Sequence, residues 1–384
     1  MKFALLGIDD ELLALARRLH DLAKHEITIY CEPGSHIAEL RALAPQAQHC
    51  EQWETLLLQN QFDALIVGRA CESVDIRADQ LRKLTQAGVP LVVMHPAGEY
   101  IVGYELEMIR TDLRGVIVPY FAGISHPVFS ELAKLIVSSD TPPNLGAIEQ
   151  IVIVRRMAQR TSESVLAQLA RDAVIVRQLL GNVRKVSASG ALDGKTTPVN
   201  LAVQMTGEQG ILARWSVEPA GQSVGATLSL IGERGSAVLQ MPEANKWELS
   251  YGEQPTTLAD DSSSEIERLV SAAAGEATTI PTWLDACRAA EIAGTIPRCL
   301  ARGKTIDLYN EEHTEDGAFK GIMAVGGCLI ILLGTLALIF VAIVEGLQLP
   351  LHNFLLWRIW PLYLLVPILI FLFLQVLGLL ARKK

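Results

Sequence analysis

Two long uncharged runs near the C-terminal end constrain this chain more than any other feature. No charged residue occurs from Gly321 to Val344 or from Ile359 to Ala381, runs of 24 and 23 residues. A bilayer core about 30 Å thick is crossed by about 20 helical residues. Buried helices of soluble proteins rarely hold so long an apolar stretch. The runs predict two transmembrane helices, over 320–344 and 359–381. Lys320 precedes the first, and Arg382, Lys383 and Lys384 follow the second, whereas the connecting loop carries only Glu345, His352 and Arg358. The positive-inside rule then places both chain ends in the cytoplasm. Trp357, Trp360 and Tyr363 fall where an interfacial aromatic belt would lie. Neither span carries a charge of the kind that marks an ion path, which argues against a channel or transporter.

The remaining 315 or so residues read as soluble. Met1–Gly7 is too short an apolar run for a signal peptide, and Asp9, Asp10 and Glu11 interrupt it. The six cysteines show no metal-type pairing and, scattered as they are, fit a reducing compartment better than a disulfide framework. A net charge of −9 without a basic stripe argues against nucleic acid as a partner. The lipid contact is therefore assigned to the two apolar runs.

Short apolar strands alternate with helical spacing over the first 120 residues. Residues 2–8, 27–31, 64–68 and 90–94 read as strands, and 10–24, 35–43, 51–60 and 77–87 as helices. That alternation predicts a parallel sheet flanked by helices, a Rossmann-like domain. Past residue 120 the rhythm changes. Helices are expected at 129–138, 166–180, 264–274 and 282–302, with strands at 148–156, 183–191, 200–205, 211–217, 226–231 and 237–241. Glycine-bearing turns between the strands suggest an antiparallel sheet. The organisation is thus an α/β domain over 1–120, an α+β domain with a large, mostly antiparallel sheet over 121–309, an acidic linker over 310–318 and the membrane hairpin over 319–384.

Several stretches carry a resemblance: ITIYCEPG, FDALIVG, LRKLTQAGVPLVVMHP, VIVRQLLGNVRKVSASG, SLIGERGSAVLQM and TWLDACRAAEIAGTIPRCLARGKTIDL. Their order and spacing over residues 1–308 resemble the glucose–fructose oxidoreductase, inositol dehydrogenase and MocA-like (Gfo/Idh/MocA) family. The resemblance implies NAD or NADP as cofactor and a sugar or cyclitol hydroxyl as substrate. It also implies a second copy of the chain on the open face of the large sheet. Gly7, Glu32, Gly68 and Pro96 become candidate cofactor-binding residues, and His95, in place of the lysine of the family's Glu-Lys-Pro, the candidate catalytic residue.

The chemistry expected of that family is altered in three places. A dinucleotide-binding turn reads G-x-G-x-x-G, because the backbone must approach a pyrophosphate seated on a helix N-terminus. Here it reads Gly7-Ile8-Asp9-Asp10-Glu11-Leu12, with three carboxylates where phosphate charge would lie. A carboxylate there caps the helix itself, so Asp9 or Asp10 is expected to act as the cap. Glu32, at the end of the second strand, is placed to bind an adenosine ribose. The family's His-x-x-Asp pair maps, counting back from Gly181, onto Arg171 and Val174, neither of which serves as a base. Asp172 and Arg171 read as a surface pair. Two readings follow. One is a degenerate member retained as a ligand- or partner-binding module at the membrane; the other is an active NAD(P)-dependent oxidoreductase in which His95, as a neutral-pH proton shuttle, carries the chemistry.

Overall fold

A computed structural model describes residues 1–347 apart from 23–24, 59–60, 137–144, 193–197, 222, 244–245, 252–253, 259–261, 279 and 309–314, together with Leu369. The first half runs β1 (Lys2–Leu6), α1 (Asp10–Asp21), β2 (Glu26–Cys31), α2 (Ile37–Leu43), β3 (Gln48–Cys50), α3 (Thr55–Leu58), β4 (Ala64–Val67), α4 (Val74–Gln86), β5 (Leu91–Met94), α5 (Tyr100–Leu113), β6 (Ile117–Tyr120) and α6 (Val128–Ile136). The second half runs β7 (Ile148–Met157), α7 (Ser162–Leu180), β8 (Val183–Ala191), β9 (Asn200–Gly207), β10 (Leu212–Pro219), β11 (Gly225–Gly232), β12 (Gly235–Pro242), β13 (Trp247–Tyr251), β14 (Gln254–Leu258), α8 (Ser262–Ala273), α9 (Trp283–Arg302) and β15 (Ile306–Asp307). A last helix, α10, spans Glu315–Gly346.

Six strands form a parallel sheet in the order β3-β2-β1-β4-β5-β6. That is the doubly wound order, whose topological switch point, beside β1, is where such sheets bind ligands at their carboxyl ends. Its central strands are buried on both faces, as the unbroken apolar runs ALIV and LVVM require. The second sheet has nine strands in the order β14-β13-β12-β11-β7-β10-β9-β8-β15. Its pairs are antiparallel except β7 with β10, which run parallel. Strands β9 to β12 alternate buried and more exposed positions, so one face packs on the helices and the other stays open.

Local chemistry sets the helix starts. Asp9 caps α1, accepting from Leu12 N at 2.8 Å, and Ser73 caps α4. Thr161 with Ser164 and Thr282 with Asp285 form reciprocal capping boxes at α7 and α9. Trp283 Nε1 donates to the Gly103 carbonyl at 3.0 Å and Tyr104 donates to Glu291 at 2.6 Å, fastening α9 to α5. A Cβ at Gly294 would come within 2.6 Å of the Tyr100 ring, so only glycine allows α9 to approach that closely. Met1–Leu308 accordingly form one compact unit and Tyr309–Lys384 another.

The structure departs from the sequence reading in several places. Helix α5 escapes a periodicity search because it buries a single residue, Leu106, and exposes Ile101, Met108 and Leu113. Of the helix expected over 51–60, the described residues hold one turn, α3, and 59–60 lie outside them. Strand β3 is only three residues long, and it overturns the reading of unpaired thiols: register sets Cys50 beside Cys31 on β2, Cα–Cα 5.1 Å, and the two form a disulfide. The first apolar run lies within α10, whose described side chains begin at Ile330. Among the described residues no helix is long and apolar enough to cross a membrane. The second run, 359–381, lies outside them apart from Leu369.

Candidate functional site

The turn after β1 is filled by the protein's own charges. Asp9 binds the α1 N-terminus with Oδ1 and, with Oδ2, accepts from Arg69 N at 3.0 Å and Arg69 Nε at 3.3 Å. Glu11 accepts from Arg69 Nη2 at 2.7 Å, from Arg171 Nη2, and from Ala122 N at 3.2 Å. One carboxylate pair thus joins the turn, the loop after β4, the loop after β6 and helix α7. Asp10 points away and lies 3.5 Å from His36. The Leu12 N–H and the positive dipole end of α1, which would serve a phosphate, are already engaged by Asp9.

Gly7 and Gly68 are needed for packing. Gly7 has φ +67°, and a Cβ there would meet Arg77 Nη2 at 1.9 Å and the Ala70 carbonyl at 2.4 Å. A Cβ on Gly68 would meet the Gly7 carbonyl at 2.1 Å. The guanidinium beside Gly7 belongs to Arg77, whose Nη2 bonds Ala70 O at 2.5 Å and Glu32 at 3.1 Å. Burial lowers the Arg77 pKa, with Glu32 opposing the shift. Glu32 adopts the left-handed conformation (φ 51°), uncommon for a residue with a side chain. Both its carboxylate oxygens are engaged, since Gln80 donates to the second at 2.6 Å.

His95 follows β5 and precedes Pro96 through a cis peptide bond. It is 2% exposed, and its N–H donates to Tyr120 O at 2.7 Å. Its Nε2 is sealed from solvent without a partner among the described residues. Burial, and then the charge of Arg171, pull its pKa down to about 3. The ring is neutral at neutral pH and a poor proton acceptor. It lines a small cavity of about 20 Å³ with Tyr100, Gly103, Trp283 and Cys287. Arg171 lies over it, Nε donating to the His95 carbonyl at 3.0 Å. Burial also lowers the Arg171 pKa, against Glu11.

Asp172 and Arg171 are not a surface pair. Asp172 is 1% exposed and accepts from Trp215 Nε1 at 2.8 Å, from Arg155 Nε at 3.0 Å and Nη2, and from Gln168 at 3.3 Å. Successive positions on α7 are about 100° apart. Arg171 therefore turns toward the parallel sheet's loops while Asp172 turns onto β7 and β10. Val174 is buried in the core. Beside them, at the end of β7, is a cavity of about 550 Å³ whose walls include Arg18, Phe121, Arg155, Arg171, Trp247 and Glu265. Its volume is in the range of small-molecule sites. Trp247 is held by stacking on His126 at 4.2 Å between ring centres and by edge contact with Phe129. Arg18 bonds the buried Glu265 at 3.1 Å. Among the described residues no group of three or more His, Cys, Asp or Glu side chains could hold a metal ion.

No protein-family model matches the sequence, and no curated protein sequence matches it. Solved structures do match. A putative myo-inositol dehydrogenase from Sinorhizobium meliloti superposes with a TM-score of 0.65 at 17% identity, covering 80% of this chain and 100% of that one. A myo-inositol dehydrogenase from Corynebacterium glutamicum gives 0.64 at 16%, covering 81% and 99%. The WlbA dehydrogenase of Chromobacterium violaceum, in complex with NADH and UDP-GlcNAcA, gives 0.65 at 16%, covering 81% and 97%. The chain has the Gfo/Idh/MocA fold. At such identity the likeness speaks for the backbone, and function rests on the site.

Within the Gfo/Idh/MocA fold the candidate residues separate. Gly7, Gly68 and Glu32 do converge at the carboxyl ends of β1, β4 and β2, where Gly68 packs on Gly7 and Arg77 packs on Gly7 and bonds Glu32. His95 and Pro96 sit beneath Arg171, and His95 is not among the residues lining the large cavity. The turn does not fit a dinucleotide pyrophosphate in the usual pose, since two carboxylates and their arginines fill it. Sequence reasoning missed Arg69, which holds Asp9 and Glu11, Arg77, which holds Glu32, and Arg155 and Trp215, which hold Asp172. The adjacent charges at 171–172 were the available signal, but only the fold shows Asp172 buried against β7 and β10 while Arg171 pairs with Glu11 on α1.

Proposed function

We propose that this chain is a non-catalytic, membrane-anchored protein of this fold, binding a small ligand or partner at the cytoplasmic face. One observation carries the reading. The Asp9–Glu11–Arg69–Arg171 network occupies the phosphate turn and, through Arg171, the position where the family resemblance expects a histidine base. Burial, and then the charge of the same arginine, keep His95 neutral. A cavity of about 550 Å³ persists beside these altered groups. Scaffold and cavity are kept while phosphate recognition and proton transfer are not.

The anchoring rests on the uncharged runs and on α10. From Ile331 to Ile343, eight large apolar side chains are 50–70% exposed, distributed around the helix. A helix apolar all round belongs in lipid or in a core. The open face of the nine-stranded sheet is proposed to take a second copy of the chain.

The alternative reading, an active NAD(P)-dependent oxidoreductase on a sugar, cyclitol or nucleotide sugar, is favoured by the bound cofactors of similar structures. WlbA is one, and GenD2 from gentamicin A biosynthesis was solved with NAD. The test is a turnover screen of the full-length protein in detergent. NAD⁺ and NADP⁺ are offered with myo-inositol, hexoses and UDP-sugars, and nicotinamide absorbance is followed. The proposal expects no reduction above the no-enzyme rate. Steady turnover abolished by His95→Ala would establish the alternative.

A further inference from the structure

The arginines around the large cavity are paired in a way that leaves donors unspent. Arg155 gives Nε and Nη2 to Asp172, and Arg171 gives Nε to His95 and Nη2 to Glu11. Nη1 of each has no partner among the described residues, and neither Nη1 belongs to the unpaired atoms sealed from solvent. Both residues line the cavity, as does Arg18. Of the carboxylates that fix them, Asp172 and Glu265 line the cavity too but are buried and accept from internal donors, and Glu11, in the first turn of α1, lies outside the lining. Arg18, Arg155, Arg156 and Arg171, against Asp172, Glu243 and Glu265, leave the lining with one more guanidinium than carboxylate, and the unspent guanidinium N–H groups are open to a ligand. A planar guanidinium already held by one carboxylate has lost its rotamer freedom and presents the remaining N–H in fixed geometry, which suits a second oxyanion. Phe121 and Trp247 supply an apolar wall.

We infer that this cavity binds a small molecule carrying a carboxylate or phosphate group, with the oxyanion at Arg155 and Arg171 and the body of the molecule against Trp247. The inference rests on the reading of the cavity as a ligand site and specifies its chemistry. A neutral polyol would fill the same volume without the charge-assisted bonds.

The test is calorimetric titration of the full-length protein in detergent with glucuronate, a hexose monophosphate and glucose. At least one anion is expected to bind about tenfold or more tighter than glucose, the worth of one charge-assisted hydrogen bond, and to weaken as salt rises. The two anions separate a carboxylate site from a phosphate site. Arg171→Gln should remove the preference. Glu11→Gln, which deletes the carboxylate competing for Arg171, should tighten anion binding; a purely structural role for the pair would weaken it instead. Glucose binding as tightly as both anions overturns the oxyanion inference and leaves the ligand-site reading standing. Binding by none of the three overturns the ligand-site reading itself. A loss of anion affinity in Glu11→Gln also overturns the inference.

Discussion

Asp172→Ala is the most informative perturbation of the scaffold around the cavity. Asp172 is 1% exposed and takes hydrogen bonds from Trp215, Arg155 and Gln168, tying α7 to β7 and β10. Removing it leaves Arg155 without a counter-ion in a mostly buried position, and one-sided deletion of a buried pair costs ~3–5 kcal/mol. Trp215 Nε1 is also stranded, a loss of ~1–3 kcal/mol that overlaps the first. A total near ~4 kcal/mol is a large share of the ~5–15 kcal/mol that stabilises a typical domain. At about 2 °C per kcal/mol for a large domain, thermal unfolding of the Met1–Leu308 unit should shift down by roughly 8 °C. Circular dichroism or tryptophan fluorescence during heating of the full-length protein reads this directly. The double variant Arg155→Met with Asp172→Ala removes both charges and should recover more than half of the loss, since two apolar groups leave no buried charge unpaired. A single-variant loss under ~1 kcal/mol, or a double variant no better than the single, would refute the reasoning.

Three further outcomes follow from the same geometry. Gly7→Ala should destabilise the protein by ~2 kcal/mol or more in thermal unfolding, because its φ is +67° and its Cβ would strike Arg77 and Ala70. His95 has a folded pKa near 3 against an ordinary 6.5, so the unfolded chain binds the extra proton in that window and stability falls as pH drops from 6.5 toward 3. His95→Phe should flatten that part of the stability–pH curve, and an unchanged slope would contradict the assignment. Cys31 and Cys50 should resist alkylation in the unfolded, unreduced protein and react after a reductant is added, whereas Cys71, Cys287 and Cys299 react at once.

The architecture was legible in the sequence wherever apolar period and turn chemistry agreed. The buried runs at β1, β4 and β5 and the capped starts of α7 and α9 are local signals, and they fall within a few residues of the observed elements. Elements with little buried surface were not legible. Helix α5 buries one residue, and β3 and β15 are three and two residues long. The site was legible as a loss: Asp9, Asp10 and Glu11 announce that the phosphate turn is altered, and the Asp9 cap follows from its place before α1. What fills the turn was not, because the partners Arg69, Arg77 and Arg171 lie 58–160 residues from the carboxylates that bind Arg69 and Arg171, and 45 from Glu32 in the case of Arg77. Asp172 misled for the same reason. On one helix it is merely the residue after Arg171, and only the facing Trp215 and Arg155 make it a buried anchor.

The central claim is that internal ion pairs occupy the dinucleotide site. It is tested most directly by titrating NADH and NADPH into the full-length protein while following nicotinamide fluorescence, alongside the variant Glu11→Ala with Asp9→Ser. The account predicts no saturable binding to the wild type up to about 1 mM, a limit of roughly 4 kcal/mol in binding free energy. Micromolar saturation of the unaltered protein by either dinucleotide would contradict it.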